Sequence, residues 1–138
     1  MQSNHTFNWQ VRVYYEDTDA GGVVYHAQYL NFMERARTEM LRHLGFEHGA
    51  LLLKYQCIFV VHNMQIQFKK SAKLDDLLEI ACSLCKVGHG SVEFLQTILL
   101  NNQILVTAHI KLACVNALTF RPTNVPLSVK LAIQNLTV

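Results

Sequence analysis

The sequence predicts an α+β protein in which one long helix packs on a single antiparallel sheet of five to six strands. Three patterns in its 138 residues lead there: an alternating apolar segment opens the chain, a segment of helical period follows, and the remainder returns to alternation broken by turn residues. A helix with one apolar stripe must bury it against another element, and here that element is the sheet.

From Phe7 to Tyr15 the side chains Phe7, Trp9, Val11, Val13 and Tyr15 alternate with Asn8, Gln10, Arg12 and Tyr14, the period of a half-buried strand. The period then changes. Tyr29, Phe32, Met33, Ala36, Met40 and Leu44 share one helical face, and Gln28, Asn31, Glu34, Arg35, Glu39 and Arg42 another, which predicts a helix from His26 to Leu44 with Gly45 as its stop. A loop containing His48 and Gly49 comes next. A second strand starts near Cys57, where Met64, Ile66 and Phe68 share an inward phase that also places His62 inward. Leu77 to Lys86 and Ser91 to Leu100 read as strands flanking the Gly88-His89-Gly90 turn, and Asn101-Asn102 turns the chain into a last strand through Val115. After Pro126, Leu127 to Leu136 reads as a short helix. A lone sheet of this size leaves an edge and part of a face uncovered, so at least a dimer is expected.

Composition bounds the function. Half of the residues are hydrophobic and 16% are charged, in a length suited to one domain over residues 1–138. A net charge of +2 with scattered basic residues argues against nucleic-acid binding. Lys69, Lys70 and Lys73 form the one basic group and read as a solvated strand end in preference to a phosphate contact. The opening MQSNHTFNWQ lacks the features of a secretory signal, and no run is long enough for a membrane span, so the expected location is the cytoplasm. The four cysteines then read as reduced thiols. Cys82 and Cys85 form a C-x-x-C whose odd spacing sends them to opposite faces of a strand, and His5, His43, His48 and His109 form no ligand pattern, so no metal site is expected.

The densest cluster of chemistry is YYEDTDAGGVVYH, between the first strand and the long helix. Gly21 and Gly22 allow backbone conformations closed to other residues and leave room for a ligand near the chain. The helix beginning just beyond offers free N–H groups and a positive dipole end to a carbonyl oxygen that gains negative charge, as an acyl-transfer site requires. Such a site also needs a base or nucleophile, and Asp19 lies a few residues upstream. From the residues alone, an equal reading makes Asp17 and Asp19 turn or capping residues, His26 a helix-end residue and Tyr15 a core aromatic.

The run RVYYEDTDAGGVVYH, continuing into AQYLNFMERARTEMLR, resembles the signature of the Tol-Pal-associated, YbgC-type acyl-CoA thioesterases, in the hydroxybenzoyl-CoA thioesterase group of hotdog proteins. The likeness continues more loosely through FVVHNMQIQF and LDDLLEI. It implies the hotdog fold, dimers that pair into tetramers, and hydrolysis of acyl-CoA to a free acid and CoA. CoA is then part of the substrate, and no other cofactor is implied. Residue by residue, the resemblance puts the catalytic carboxylate on Asp19 and the assisting groups on Tyr15 and His26, with Gly21, Gly22, Val23 and Tyr25 beside the substrate. In that family the hairpin between the third and fourth strands receives CoA, often through an Arg. Gly88 stands there in this chain, which leaves Lys86, His89 and Ser91 as the candidates. Acyl carrier protein or lipid-synthesis enzymes are the partners the resemblance implies. Two rival functions are a hydroxyacyl dehydratase, with a histidine and an acid on the central helix, and a non-catalytic module that binds acyl-CoA or acyl carrier protein.

Overall fold

The structure, a computed structural model, describes residues 6–135, so His5 and the end of the expected terminal helix at Leu136 lie outside it. Strand β1 (Thr6–Arg12) leads through a single 3-10 turn (Tyr15–Asp17) to helix α1 (His26–His43) and the shorter α2 (His48–Tyr55). Strands β2 (Cys57–Phe68), β3 (Leu77–Val87), β4 (Ser91–Leu100) and β5 (Gln103–Asn116) follow, with α3 (Leu127–Gln134) at the end. The sheet has five strands, all antiparallel, in the order β1-β3-β4-β5-β2.

The even-numbered residues 78–84 of β3, 92–98 of β4 and 106–114 of β5, among them Ile80, Phe94 and Ile110, are buried and face the apolar stripe of α1, where Phe32, Met33, Ala36 and Met40 are buried in turn. One polar pair interrupts this core. Arg37, only 7% exposed, donates from Nη1 to Oε1 of the fully buried Gln96 at 2.8 Å, and Gln96 Nε2 donates to the Met33 carbonyl at 3.0 Å and to Cys82 Sγ at 2.9 Å. Burial lowers the Arg37 pKa from its ordinary value.

Where α1 ends, Gly45 adopts φ +97°, and the Gly45 and Phe46 N–H groups bond back to Arg42 and Leu41, so the expected glycine stop is present. Asn101 and Asn102 both take positive φ, as a two-residue hairpin between β4 and β5 requires. The C-x-x-C divides as its spacing predicts, with Cys82 buried and Cys85 exposed.

Three expectations are corrected. Strand β1 stops at Arg12, because Val13 pairs with the β2–β3 connection (N–H to Asp76 O, 2.9 Å; C=O from Asp75 N–H, 3.0 Å) and the chain then turns at Tyr15. Tyr15 therefore leaves the strand phase and its side chain is 83% exposed. The segment read as a loop around His48 is helix α2, which buries Leu51 and ends where Gln56 takes a left-handed conformation. His62 is exposed, not inward: the β2–β5 register shifts between Val61 and Asn63, so His62 is the extra residue of a bulge. Among the described residues no helix is long and apolar enough to cross a membrane.

Candidate active site

Residues 13–26 form a compact loop pinned to the β2–β3 connection. Beyond the Val13 pairing, Val24 N–H donates to Ala72 O at 2.9 Å, and isolated bridges join Val23 to Lys73 and Thr18 to Val24. Backbone pairing on both sides gives the loop a fixed path without help from its exposed side chains.

The two aspartates are separated by what surrounds them. Asp17 is 4% exposed; its Oδ2 accepts the Tyr14 N–H and its Oδ1 accepts Gln28 Nε2–H, both at 2.8 Å, while its carbonyl accepts the Tyr25 N–H at 3.1 Å. It ties the 3-10 turn to the first turn of α1, and both carboxylate oxygens are engaged in that task. Asp19 is exposed. Its N–H donates to Val23 O at 2.9 Å, its C=O accepts the Gly22 N–H at 3.0 Å, and its Oδ1 accepts the Gly21 N–H at 2.8 Å. The second carboxylate oxygen has no protein donor among the described residues, so Asp19 is oriented yet available. Gly21 makes this possible, since a Cβ there would come within 3.3 Å of Asp19 Oδ1, and Gly22 supplies φ +80° to close the turn.

Helix α1 begins at His26 behind Tyr25, which adopts extended backbone angles and makes no side-chain cap. No acidic residue occupies the first turn, so its free N–H groups and the positive end of the helix dipole meet no carboxylate of their own helix. The His26 ring lies against Tyr25, 4.5 Å between centroids, and edge-on to Phe68 at 6.2 Å. Beside it a cleft of about 150 Å³ is lined by Val24, His26, Tyr29, Phe68, Lys69, Lys70 and Ser71. Tyr29 holds the cleft wall: its hydroxyl accepts the Ala72 N–H at 2.9 Å, and burial raises its pKa. A carboxylate with an unbonded oxygen and a helix start without a side-chain cap thus lie on one continuous loop of the chain.

A sequence profile described as "Thioesterase superfamily" matches residues 21–108, well over half of the chain. The "Acyl-CoA thioesterase YbgC" of Haemophilus influenzae is 47% identical over 130 residues, covering 94% of this chain and 96% of that protein. The chain belongs to the thioesterase superfamily, in its YbgC group. The "Acyl-CoA thioester hydrolase YbgC" of Escherichia coli O6:H1 is also 47% identical, over 89% of this chain and 92% of its own length. Among solved structures, a "Probable Thioesterase" from Bartonella henselae superposes with a TM-score of 0.84 at 38% identity, covering 88% of this chain and 99% of that one. The hotdog fold expected from the sequence is therefore the fold of this YbgC-group protein, its α1 laid along the five-stranded sheet.

Of the residues named from sequence, the structure gathers Asp19, Gly21, Gly22, Val23, Tyr25 and His26 into one loop and helix start. Tyr15 belongs to the same loop, yet no hydrogen bond among the described residues joins its hydroxyl to Asp19 or His26; Thr18 Oγ1 bonds its carbonyl instead, at 2.8 Å. Lys86, His89 and Ser91 are not brought to this site within one chain. They sit at the far end of β3, whose 11 residues span roughly 35 Å from the loop end of the sheet. There Gly88 N–H bonds Ser91 O, and His89 O accepts the Val125 N–H, both at 2.8 Å. Sequence reasoning missed Gln28 and Phe68 as parts of the site and read Tyr29 only as helix core. Gln28 follows the helix start by two positions, and the aromatic Phe68 at the end of an alternating strand was the available signal for the cleft.

Proposed function

We propose that the chain is an acyl-CoA thioesterase that hydrolyses the thioester to a free carboxylic acid and CoA, with Asp19 as its catalytic carboxylate. The observation that carries this reading is the half-satisfied Asp19 carboxylate, held by the Gly21 N–H in a loop that runs directly into the uncapped N-terminus of α1. The names borne by the relatives support the reaction class. An ionised Asp19 attacks the thioester carbonyl, giving an anhydride that water opens, or it takes the proton from an attacking water; either route ends in acid and thiol. The His26 backbone N–H, at the helix start, donates to the carbonyl oxygen as charge builds there, while the imidazole orients water or assists the departing thiolate. Tyr15 assists Asp19 or His26 from the same loop.

The working unit in this reading is a dimer formed along β2. That strand is a sheet edge, and its Val60, Val61 and Phe68 are exposed. Antiparallel pairing of two β2 strands exchanges the ends of the sheet. It would set the end that carries Lys86, His89 and Ser91 of the partner subunit near the Asp19 loop, where these residues would meet CoA, and Lys69 and Lys70 flank the same cleft. Two such dimers form the tetramer. The protein acts in the cytoplasm, with acyl carrier protein or lipid-synthesis enzymes as partners.

The test is a free-thiol release assay over short, aromatic and long acyl-CoA substrates and acyl carrier protein thioesters, with Asp19→Asn beside the wild type. The Asn side chain retains an oxygen for the Gly21 N–H, so folding is preserved while activity falls by roughly 10²–10⁴-fold. An Asp19→Asn protein that hydrolyses at the wild-type rate would overturn the assignment. Formation of an enoyl product from a hydroxyacyl thioester, without thiol release, would point to a dehydratase.

A further inference from the structure

Cys57 opens β2 and Cys114 lies near the end of β5, on the helix-facing side of the sheet. The register pairs Cys57 with Asn116 and Phe59 with Cys114, so the two cysteines are diagonal neighbours on adjacent strands. Both are buried free thiols, and their sulfurs stand 2.8 Å apart. A disulfide bond is about 2.05 Å long, so the sulfurs need less than about 1 Å of further approach. The other two cysteines lack such a neighbour: Cys82 is buried against Gln96, and Cys85 is exposed on the bulge of β3.

We propose that Cys57 and Cys114 form a covalent modification site, a thiol pair that a small disulfide or a peroxide oxidises to an intrachain disulfide. The two sulfurs share this contact unequally: Cys114 Sγ also reaches the Asn124 carbonyl at 3.7 Å, and the contact lowers the Cys57 pKa and raises that of Cys114, so Cys57 supplies the attacking thiolate. With a small disulfide, the Cys57 thiolate attacks one sulfur, forms a mixed disulfide and releases one thiolate. Cys114 gives up its proton to that thiolate and attacks Cys57 Sγ, which expels the second thiolate. Two protein thiols and one small disulfide become one protein disulfide and two small thiols. With a peroxide the product at Cys57 is a sulfenic acid, and attack by Cys114 releases water.

The position gives the bond a structural consequence. Cys57 immediately follows Gln56, the left-handed residue that ends α2, and β2 is an edge strand held on one side only. Local opening at this one-sided edge is the route by which a small oxidant reaches the buried pair. Oxidation would fasten the end of α2 and the start of β2 to β5, beside Phe59 and Val60. Those residues wall a cavity of about 320 Å³ that also touches Arg37 and His48. The cross-link also closes a 57-residue separation in the unfolded chain, which favours the folded state.

The experiment uses full-length Cys85→Ser protein, which removes the exposed thiol and leaves three. It is incubated with glutathione disulfide, denatured, alkylated and mapped by mass spectrometry without reduction. The expected result is one alkylated cysteine, Cys82, and a peptide cross-linked through Cys57 and Cys114. The melting temperature should rise by roughly 5–10 °C and return on reduction. Adding Cys114→Ser should leave glutathione attached at Cys57 with no internal bond. Recovery of alkylated Cys57 and Cys114 after prolonged incubation near the melting temperature would overturn the proposal. A glutathione adduct persisting on Cys57 while Cys114 is intact would also overturn it.

Discussion

Replacing Gln96 with Leu removes the only hydrogen-bond acceptor that the described residues give to the buried Arg37 guanidinium. Gln96 is fully buried, so no bulk water reaches its place, and Arg37 has no carboxylate within ion-pair distance among the described residues. A hydrogen bond to a charged group contributes about 1.5–3 kcal/mol, and stranding a buried charge adds to that cost. The Leu side chain packs among the neighbouring apolar groups and returns part of it. A net loss of about 2–3 kcal/mol follows, which for a chain of this length lowers the melting temperature by roughly 6–10 °C. Arg37→Met alone leaves the Gln96 carbonyl unsatisfied and costs about 1–3 kcal/mol. The double variant removes both polar partners together, so its loss should fall well short of the sum of the singles. Urea unfolding of the four proteins at one fixed protein concentration measures the cycle. If Gln96→Leu unfolds within about 0.5 kcal/mol of wild type, or the two losses simply add, then Arg37 is not held by Gln96 as described.

Asp17→Ala should cost about 2 kcal/mol by releasing the Tyr14 N–H and Gln28, with a melting temperature several degrees lower, whereas Asp19→Asn should melt with the wild type. Equal melting of Asp17→Ala and wild type would remove Asp17 from its structural role. Burial raises the Cys82 thiol from 9.0 to about 12, a shift that its bond from Gln96 only partly opposes. Above pH 9 the unfolded thiol loses its proton while the folded one keeps it, so this stabilisation is complete below pH 9 and is lost as pH rises toward 12, by up to about 1.4 kcal/mol per unit. Unfolding of Cys82→Ala should therefore show a flatter alkaline decline than wild type, and parallel declines would contradict the burial argument.

Legibility in the sequence followed how locally each feature is determined. Helix α1 and the β3–β4–β5 meander were readable because their periods are long and their turns carry Gly88-His89-Gly90 and Asn101-Asn102. Helix α2 was not, since HGALLLKY has too few residues to show a period, and only the burial of Leu51 gives it a helical face. The bulge at His62 was hidden because Met64, Ile66 and Phe68 alternate correctly by themselves; the slip shows only against β5. In the site, both aspartates read alike as turn residues. What distinguishes them is Gln28, brought onto Asp17 from the next element. The separation of Lys86, His89 and Ser91 from Asp19 depends on strand direction, which no local motif encodes.

The strand order β1-β3-β4-β5-β2 has a further consequence for how the chain acquires its shape during synthesis. The first two strands made, β1 and β2, become the two edges and never touch each other in the sheet; β1 waits for β3, and β2 waits for β5. A growing chain that has emitted α1, with the Asp19 loop before it, holds an apolar helix with no sheet to cover it until the last meander arrives. The β2–β5 ladder, between positions as far apart as Cys57 and Asn116, closes late and over a long separation, a topology that slows folding. A chain truncated before Gln103 would leave β2 without a partner and β4 with an open edge, a ready substrate for aggregation or for chaperones. Assembly of this fold is thus controlled from its carboxyl-terminal half, although the chemistry is written near its amino terminus.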